Sequence, residues 1–287
     1  TFREDTFEFR TYVDPIATFE FKQLPASPEL RIVAGEPARA VCIAPSRVQV
    51  GRTFIAHLRL EDRWGNPTRP PAHVEQPGFP EAGVYTVTLA DQATGLSAES
   101  NPIEALAEHG SLRPYWADMH GQTEETCGSN SIEDYFTFAR EVGLLDVTAH
   151  QGNDFEISDA FWATVNETAR RYNQPGAFVT FPGYEWSGNT PLGGDRNVYF
   201  SREGAQIVHS CTDLLPGKTT AYPIAPTARE LFAALRVQEG PRPFAYAHVG
   251  GRYADMAQHD PKVELAVEVH SAWGTFEWLV EDALRRR

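Results

Sequence analysis

Leu144-Leu145-Asp146-Val147-Thr148-Ala149-His150-Gln151-Gly152-Asn153-Asp154 is the stretch on which the fold turns. Leu144–Ala149 reads as a strand, and it stops on a histidine. Gly143 ends a helix before it, and Ser158 caps another after it. Upstream, Ser131 opens the first helix with Asp134 three positions on, a capping box in all but the Glu. Ile132, Tyr135, Phe136, Ala139 and Val142 form its apolar stripe. In the second helix Phe161, Val165, Ala169 and Tyr172 recur at similar spacing. Helix, strand, helix, with polar residues at the strand end, predicts an α/β fold with a largely parallel sheet.

The same grammar extends in both directions. Tyr115–Met119 is a short apolar run before His120. Ala177–Phe181 leads into Pro182-Gly183-Tyr184-Glu185, and Asn197–Phe200 is a further short strand. Thr227-Ala228-Arg229-Glu230 is a full capping box with Leu231, Phe232 and Leu235 behind it. Phe244–Ala247 ends at His248, Leu265–Val269 ends at His270, and Thr275–Leu284 reads as the last helix. Glu203–Pro226 has no period and is placed to cover a site. In a parallel barrel the C-terminal strand ends share one face. His120, His150, Glu185, His248, Glu268 and His270 are therefore expected to converge.

Residues 1–104 differ in character. Thr18–Phe21, Ala38–Ala44, Thr53–Leu60 and Gly83–Thr88 are candidate strands, separated by turns such as Trp64-Gly65-Asn66-Pro67. They predict an accessory antiparallel β domain, a small sandwich, ahead of an α/β barrel domain over 105–287.

Composition narrows the function classes. The chain has 287 residues and a formal charge of −14, which disfavours non-specific nucleic-acid binding. No apolar run is long enough for a membrane span. The three cysteines, Cys42, Cys127 and Cys211, form no CxxC pair. These features fit a soluble protein of the cytoplasm or periplasm, and a homo-oligomer is compatible with them. The chain starts at Thr1 rather than Met and reads as a fragment.

Imidazole, carboxylate and carbonyl oxygen are ligands for Zn, Mn or Fe. Asp118-Met119-His120-Gly121-Gln122 gathers all three, although a capping loop with a hydrogen-bonded His reads equally well. His150 ends a buried strand, and Asp154 is either a ligand or the acceptor that orients an imidazole. Glu185 lies among aromatics, where a carboxylate needs a cation or a partner such as Arg196. Asp195-Arg196-Asn197 is placed to contact substrate. His248-Val249-Gly250-Gly251-Arg252 joins a candidate ligand to an Arg suited to an anion. Glu268-Val269-His270 puts two polar side chains on one side of a strand, or at a solvated edge. Cys127 beside His120 is a weak nucleophile candidate. No GxSxG, HExxH or Walker motif occurs.

From Tyr115 to Trp278 the chain resembles the DUF3604 family, a branch of the polymerase-and-histidinol-phosphatase (PHP) superfamily. The resemblance rests on Tyr115–Gln122, His150–Phe155, Pro182–Gly188, Gly194–Phe200, Ala247–Arg252 and Val267–Gly274. It implies a distorted (β/α)7 barrel with two or three divalent ions at the strand ends and hydrolysis of phosphoesters. By this resemblance His120, Gln122, His150, Glu185 and His248 are the metal positions. The superfamily's first motif has two histidines, and here the second falls on Gln122. Ala149 stands where an Asp often precedes the second motif's histidine. The closing Asp-x-His pair would fall beyond Arg287, so the barrel is expected to be incomplete at the C-terminus.

The expected activity is thus metal-dependent hydrolysis of a small anionic substrate. Arg252 stabilises charge, His270 protonates the leaving group, Asp154 supports the site, and Asp195, Arg196, Asn197 and Arg252 contact substrate. Two alternatives use the same residues. One is hydrolysis of an amide, lactone or sulfate ester. The other is a degenerate barrel beside a carbohydrate- or protein-binding β module.

Overall fold

The computed structural model describes residues 5–108 and 112–286. The chain divides into two compact units, Thr1–Tyr115 and Trp116–Arg287.

The first unit is built from strands. Arg39–Ile43, Phe54–Glu61 and Ala72–Gln76 form one antiparallel sheet. Phe54, Ala56, Leu58 and Leu60 are buried, while Ile55 on the alternate face is exposed, which explains the blurred period in the sequence. Arg47–Gln49, Ile103–Leu106 and Gly83–Tyr85 form a second sheet. Its first pair is parallel, so this unit is not purely antiparallel. The long excursion over 50–102 lets the chain return in its original direction. Cys42, Val48, Phe54, Ala56, Leu58, Leu89, Ile103 and Ala105 share one core. Thr18–Phe21 is not a strand. The Asp14 carboxylate accepts from the Thr18 and Phe19 backbone N–H groups and holds a turn there, and the strand falls at Lys22–Gln23.

In the second unit the principal strands are β1 (Ala117–Gly121), β2 (Val147–His150), β3 (Val179–Phe181), β4 (Gly183–Ser187), β5 (Asp195–Phe200), β6 (Pro243–Ala247) and β7 (Glu264–Val267). The helices are α1 (Ile132–Glu141), α2 (Asp159–Tyr172), α3 (Ala228–Val237) and α4 (Glu277–Arg285). β1, β2 and β3 form a parallel sheet. β4, β5, β6 and β7 form a second one, antiparallel at its first two pairings and parallel at the last. The unit is therefore mixed, not largely parallel. Residues 188–194 between β4 and β5 are too few for a crossover, so that pair can only be a hairpin. The two sheets meet beyond β2, where the Glu185 N–H donates to the Gly152 carbonyl at 2.8 Å.

Among the described residues the barrel does not close. β1 pairs with β2 and β7 with β6, and no ladder joins β1 to β7. A cleft of about 480 Å³ lies at that seam, lined by Asp118, His120, Tyr199, Tyr246 and Glu268.

Caps place the helices. Ser131 accepts from the Asp134 N–H, and Ser158 from the Phe161 N–H. The buried stripe of α2 is Trp162, Val165, Thr168 and Ala169, rotated from the expected one so that the indole donates to the Ala205 carbonyl. α3 carries the reciprocal capping box of Thr227 and Glu230. Thr227→Ala removes the acceptor for the Glu230 N–H and is expected to lower stability by about 1 kcal/mol in denaturant titration. Thr227→Ser should stay near wild type.

Candidate metal centre

Strand alternation aims the site residues. On β4, Tyr184 and Trp186 enter the apolar core, so Glu185 between them faces the opposite way. On β5, Val198 and Phe200 join the same core, leaving Asp195 and Asn197 on the Glu185 side. Asn197 is the cross-strand partner of Glu185, and Asp195 that of Ser187. His120 lies near the end of β1, and His248 follows β6 directly.

Glu185 is the centre of this arrangement. One carboxylate oxygen lies 3.4 Å from His120 Nε2 and accepts from Gln122 Nε2 at 3.1 Å. The other lies 3.2 Å from His248 Nε2. The two imidazoles meet edge to face at 4.6 Å. Glu268, just past β7, approaches His120 Nδ1 at 2.8 Å and accepts from Asn197 Nδ2 at 2.7 Å. Two ligand-competent groups result, His120–His248–Glu268 and Glu185–Asp195–His248, each with its ligand atoms within 4.8 Å of one another.

Three observations show that these residues fit a divalent cation. Asp195 Oδ1, His248 Nδ1 and Asn197 Oδ1 are buried without a hydrogen-bond partner, a costly state for polar atoms. At Gly250 a Cβ would come within 2.5 Å of His248 Cε1 and 3.1 Å of Asp195 Oδ2, so any side chain there would fill the space between these two groups. The third observation is electrostatic. Burial, reinforced by the Glu185 charge, pushes Asp195 up to about 8. Burial opposes the charged form of His120, yet hydrogen bonds with Glu185 and Glu268 raise it to about 10. Burial lowers His248 to about 4 despite the nearby Glu185. An excess of negative charge is packed here that a cation would relieve.

Other sequence-selected residues lie outside these two groups. His150 is fully buried at the end of β2. Its Nε2 meets Thr123 Oγ1 at 3.0 Å and its Nδ1 accepts from the Gly152 N–H, while burial lowers it to about 3. Asp154 accepts from the Ser187 N–H at 2.6 Å, the Ser210 N–H and the Ser210 hydroxyl, so it ties β4 to the 201–226 segment. Burial pushes its carboxyl up to about 7. The Gln122 carbonyl accepts from Thr126 and Cys127, so that thiol is engaged by the amide rather than by His120. Arg196 is sealed in the interior against Glu264, not Glu185. His270 sits on an exposed hairpin, bonded to Thr275. β7 stops at Val267, so Glu268 and His270 do not share a strand face. Arg252 lies beside Asp195, its backbone N–H donating to the carboxylate at 3.1 Å.

Sequence reasoning left two members out of the ligand set. Asp195 was assigned to substrate, and Glu268 only to a polar strand end. The signal for Asp195 was the β4–β5 hairpin, which sets it across from Ser187 and near Glu185.

Comparison with known proteins gives a consistent but functionally silent picture. An uncharacterized protein of Chlamydia trachomatis serovar D is 25% identical over 94% of this chain and 46% of its own length. An uncharacterized protein of Chlamydia pneumoniae is 25% identical over 69% of this chain and 31% of its own length. The chain thus spans less than half the length of these curated relatives. No solved structure matches it. Residues 87–248 match the family described as protein of unknown function DUF3604, and because that match covers more than half of the sequence, the chain belongs to the DUF3604 family.

Proposed function

We propose that the second unit is a metal-dependent hydrolase of small anionic esters, with phosphoesters the foremost class and the first unit an accessory β module. The observation that carries this reading is Glu185 set between the Nε2 atoms of His120 and His248, with the unpartnered Asp195 oxygen in the same cluster. His120, Glu185, Asp195 and His248 would hold divalent cations, with Zn, Mn and Fe all suited to this donor set. The resemblance of these segments to the PHP superfamily supports the assignment. His150 is left out because both of its ring nitrogens are engaged.

Bound divalent cations supply Lewis acidity toward an oxyanion and toward water. The chain's own residues set the stage. Glu268 takes the Nδ1 proton of His120, which fixes the tautomer and presents Nε2 to the centre. Gln122 donates to Glu185 and holds its carboxylate in place. Asn197 donates to Glu268 and keeps it over the imidazole. Arg252 binds the substrate oxyanion beside Asp195. The segment 201–226, anchored through Asp154, shields one side from bulk water.

Chelation tests the reading directly. Protein stripped of metal is expected to lose hydrolysis of p-nitrophenyl phosphate and to regain it on addition of Mn or Zn. Turnover that survives exhaustive chelation, with metal absent by elemental analysis, would end the proposal.

A further inference from the structure

A second cleft, of about 580 Å³, adjoins the centre. Its walls include Phe155, Ser187, Leu192, Leu214, Ile224 and Arg252. Two contacts connect it to the metal cluster. Ser187 is the register partner of Asp195, two residues along β4 from Glu185. Arg252 reaches Asp195 through its backbone N–H and, at 3.7 Å, through its guanidinium. Asp154 braces two walls at once by accepting from Ser187 and Ser210, and the residue after it is Phe155.

The chemistry of this lining is lopsided. Among the described residues Arg252 is the only cation on the wall. Its guanidinium forms no side-chain hydrogen bond there. The Asp195 contact is longer than a hydrogen bond, and the Phe155 ring supports the cation from 5.2 Å. A planar fork of donors is therefore held in place with its donors free. The Ser187 and Ser210 hydroxyl protons are already given to the Glu185 carbonyl and to Asp154. Leu192, Leu214 and Ile224 remain exposed on the walls, offering apolar surface and no hydrogen bonds.

We infer that this cleft is the substrate-selecting subsite of the proposed hydrolase, and that it takes an organic oxyanion with an apolar body: the head on the Arg252 fork, an aryl or alkyl group against Leu192, Leu214 and Ile224. The inference rests on the reading of the metal centre and adds the substrate class to it. A sugar or nucleotide phosphate would set its hydroxyls against three aliphatic side chains and leave them unpaired.

Equilibrium binding tests this without turnover. Phenylphosphonate is titrated into metal-loaded and metal-free protein, beside inorganic phosphate and benzyl alcohol. Phenylphosphonate should bind about ten-fold or more tightly than either half alone. Arg252→Met should weaken it by about ten-fold or more with metal content unchanged, and Arg252→Lys should recover only part, because an ammonium cannot reproduce the two-pronged contact. Leu214→Asp, at an exposed position, should weaken phenylphosphonate but leave inorganic phosphate alone. Benzenesulfonate and benzoate identify the preferred head, and tight binding of either upholds the class. Unchanged affinity in Arg252→Met, or equal affinity for phosphate and phenylphosphonate, overturns the inference. Failure of the two readings is separable. Loss of metal binding with the probe still bound removes the hydrolase reading. Full metal occupancy with no probe binding removes the subsite.

Discussion

Glu185→Gln is expected to lower divalent-metal affinity by at least about 100-fold, since even residues that only support a ligand are worth 10- to 100-fold. The substitution keeps the side chain's shape and removes its charge. Glu185 accepts from Gln122 and faces the Nε2 atoms of both His120 and His248. An amide in the same place must turn its NH2 toward one of these three groups. Hydrolysis should fall with the metal, as far as the assay can follow. Stability of the metal-free protein should not fall in step, because Asp195 loses a buried like-charged neighbour. Metal titration by calorimetry and elemental analysis after gel filtration both measure the effect. A Glu185→Gln protein that retains full metal content would remove the carboxylate from the centre of the site.

How far the sequence could show this site depends on which physical rule each residue obeys. Capping is local, so Ser131, Ser158 and Thr227 were legible as helix starts and occupy those caps in the structure. Strand ends are nearly as local, and His120, Glu185 and His248 were singled out on that basis. β4 was missed because Pro182 and Gly183 read as a turn. Gly183 is instead a strand residue required by close approach, since a Cβ there would come within 2.2 Å of Gln151 Nε2 and 2.9 Å of the Val198 carbonyl. With β4 invisible, the hairpin that carries Asp195 was invisible too. His150 followed the strand-end rule and still lies in neither ligand group, because Thr123 and Gly152 engage it. Glu268 and His270 show the limit of period two. The strand on which they were counted ends at Val267, and one joins His120 while the other stays at the surface.

Arg196→Met should cost the fold about 3–5 kcal/mol, the range for stripping one partner from a buried ion pair. Both side chains are fully buried, with Arg196 Nε 2.5 Å from Glu264 Oε1. The guanidinium also donates to the carbonyls of Gly193 and Asp195 at 2.7 and 3.0 Å, and to that of Asp255 at 3.0 Å. It thus joins β5 to the segment after β6, and it holds the backbone of a candidate ligand. Met fills most of the volume but satisfies none of these acceptors, and it leaves Glu264 with His259 alone. At about 2–4 °C per kcal/mol for a unit of this size, the melting temperature should drop by about 6–20 °C. Arg196→Met combined with Glu264→Leu removes both charges and should regain part of the loss, a coupling that packing alone would not produce. The same variants decide between two roles for Arg196. A substrate contact predicts weaker phenylphosphonate binding in the folded fraction. A sealed clamp predicts lost stability while that affinity holds, and the complete burial of the guanidinium leaves only the second outcome open.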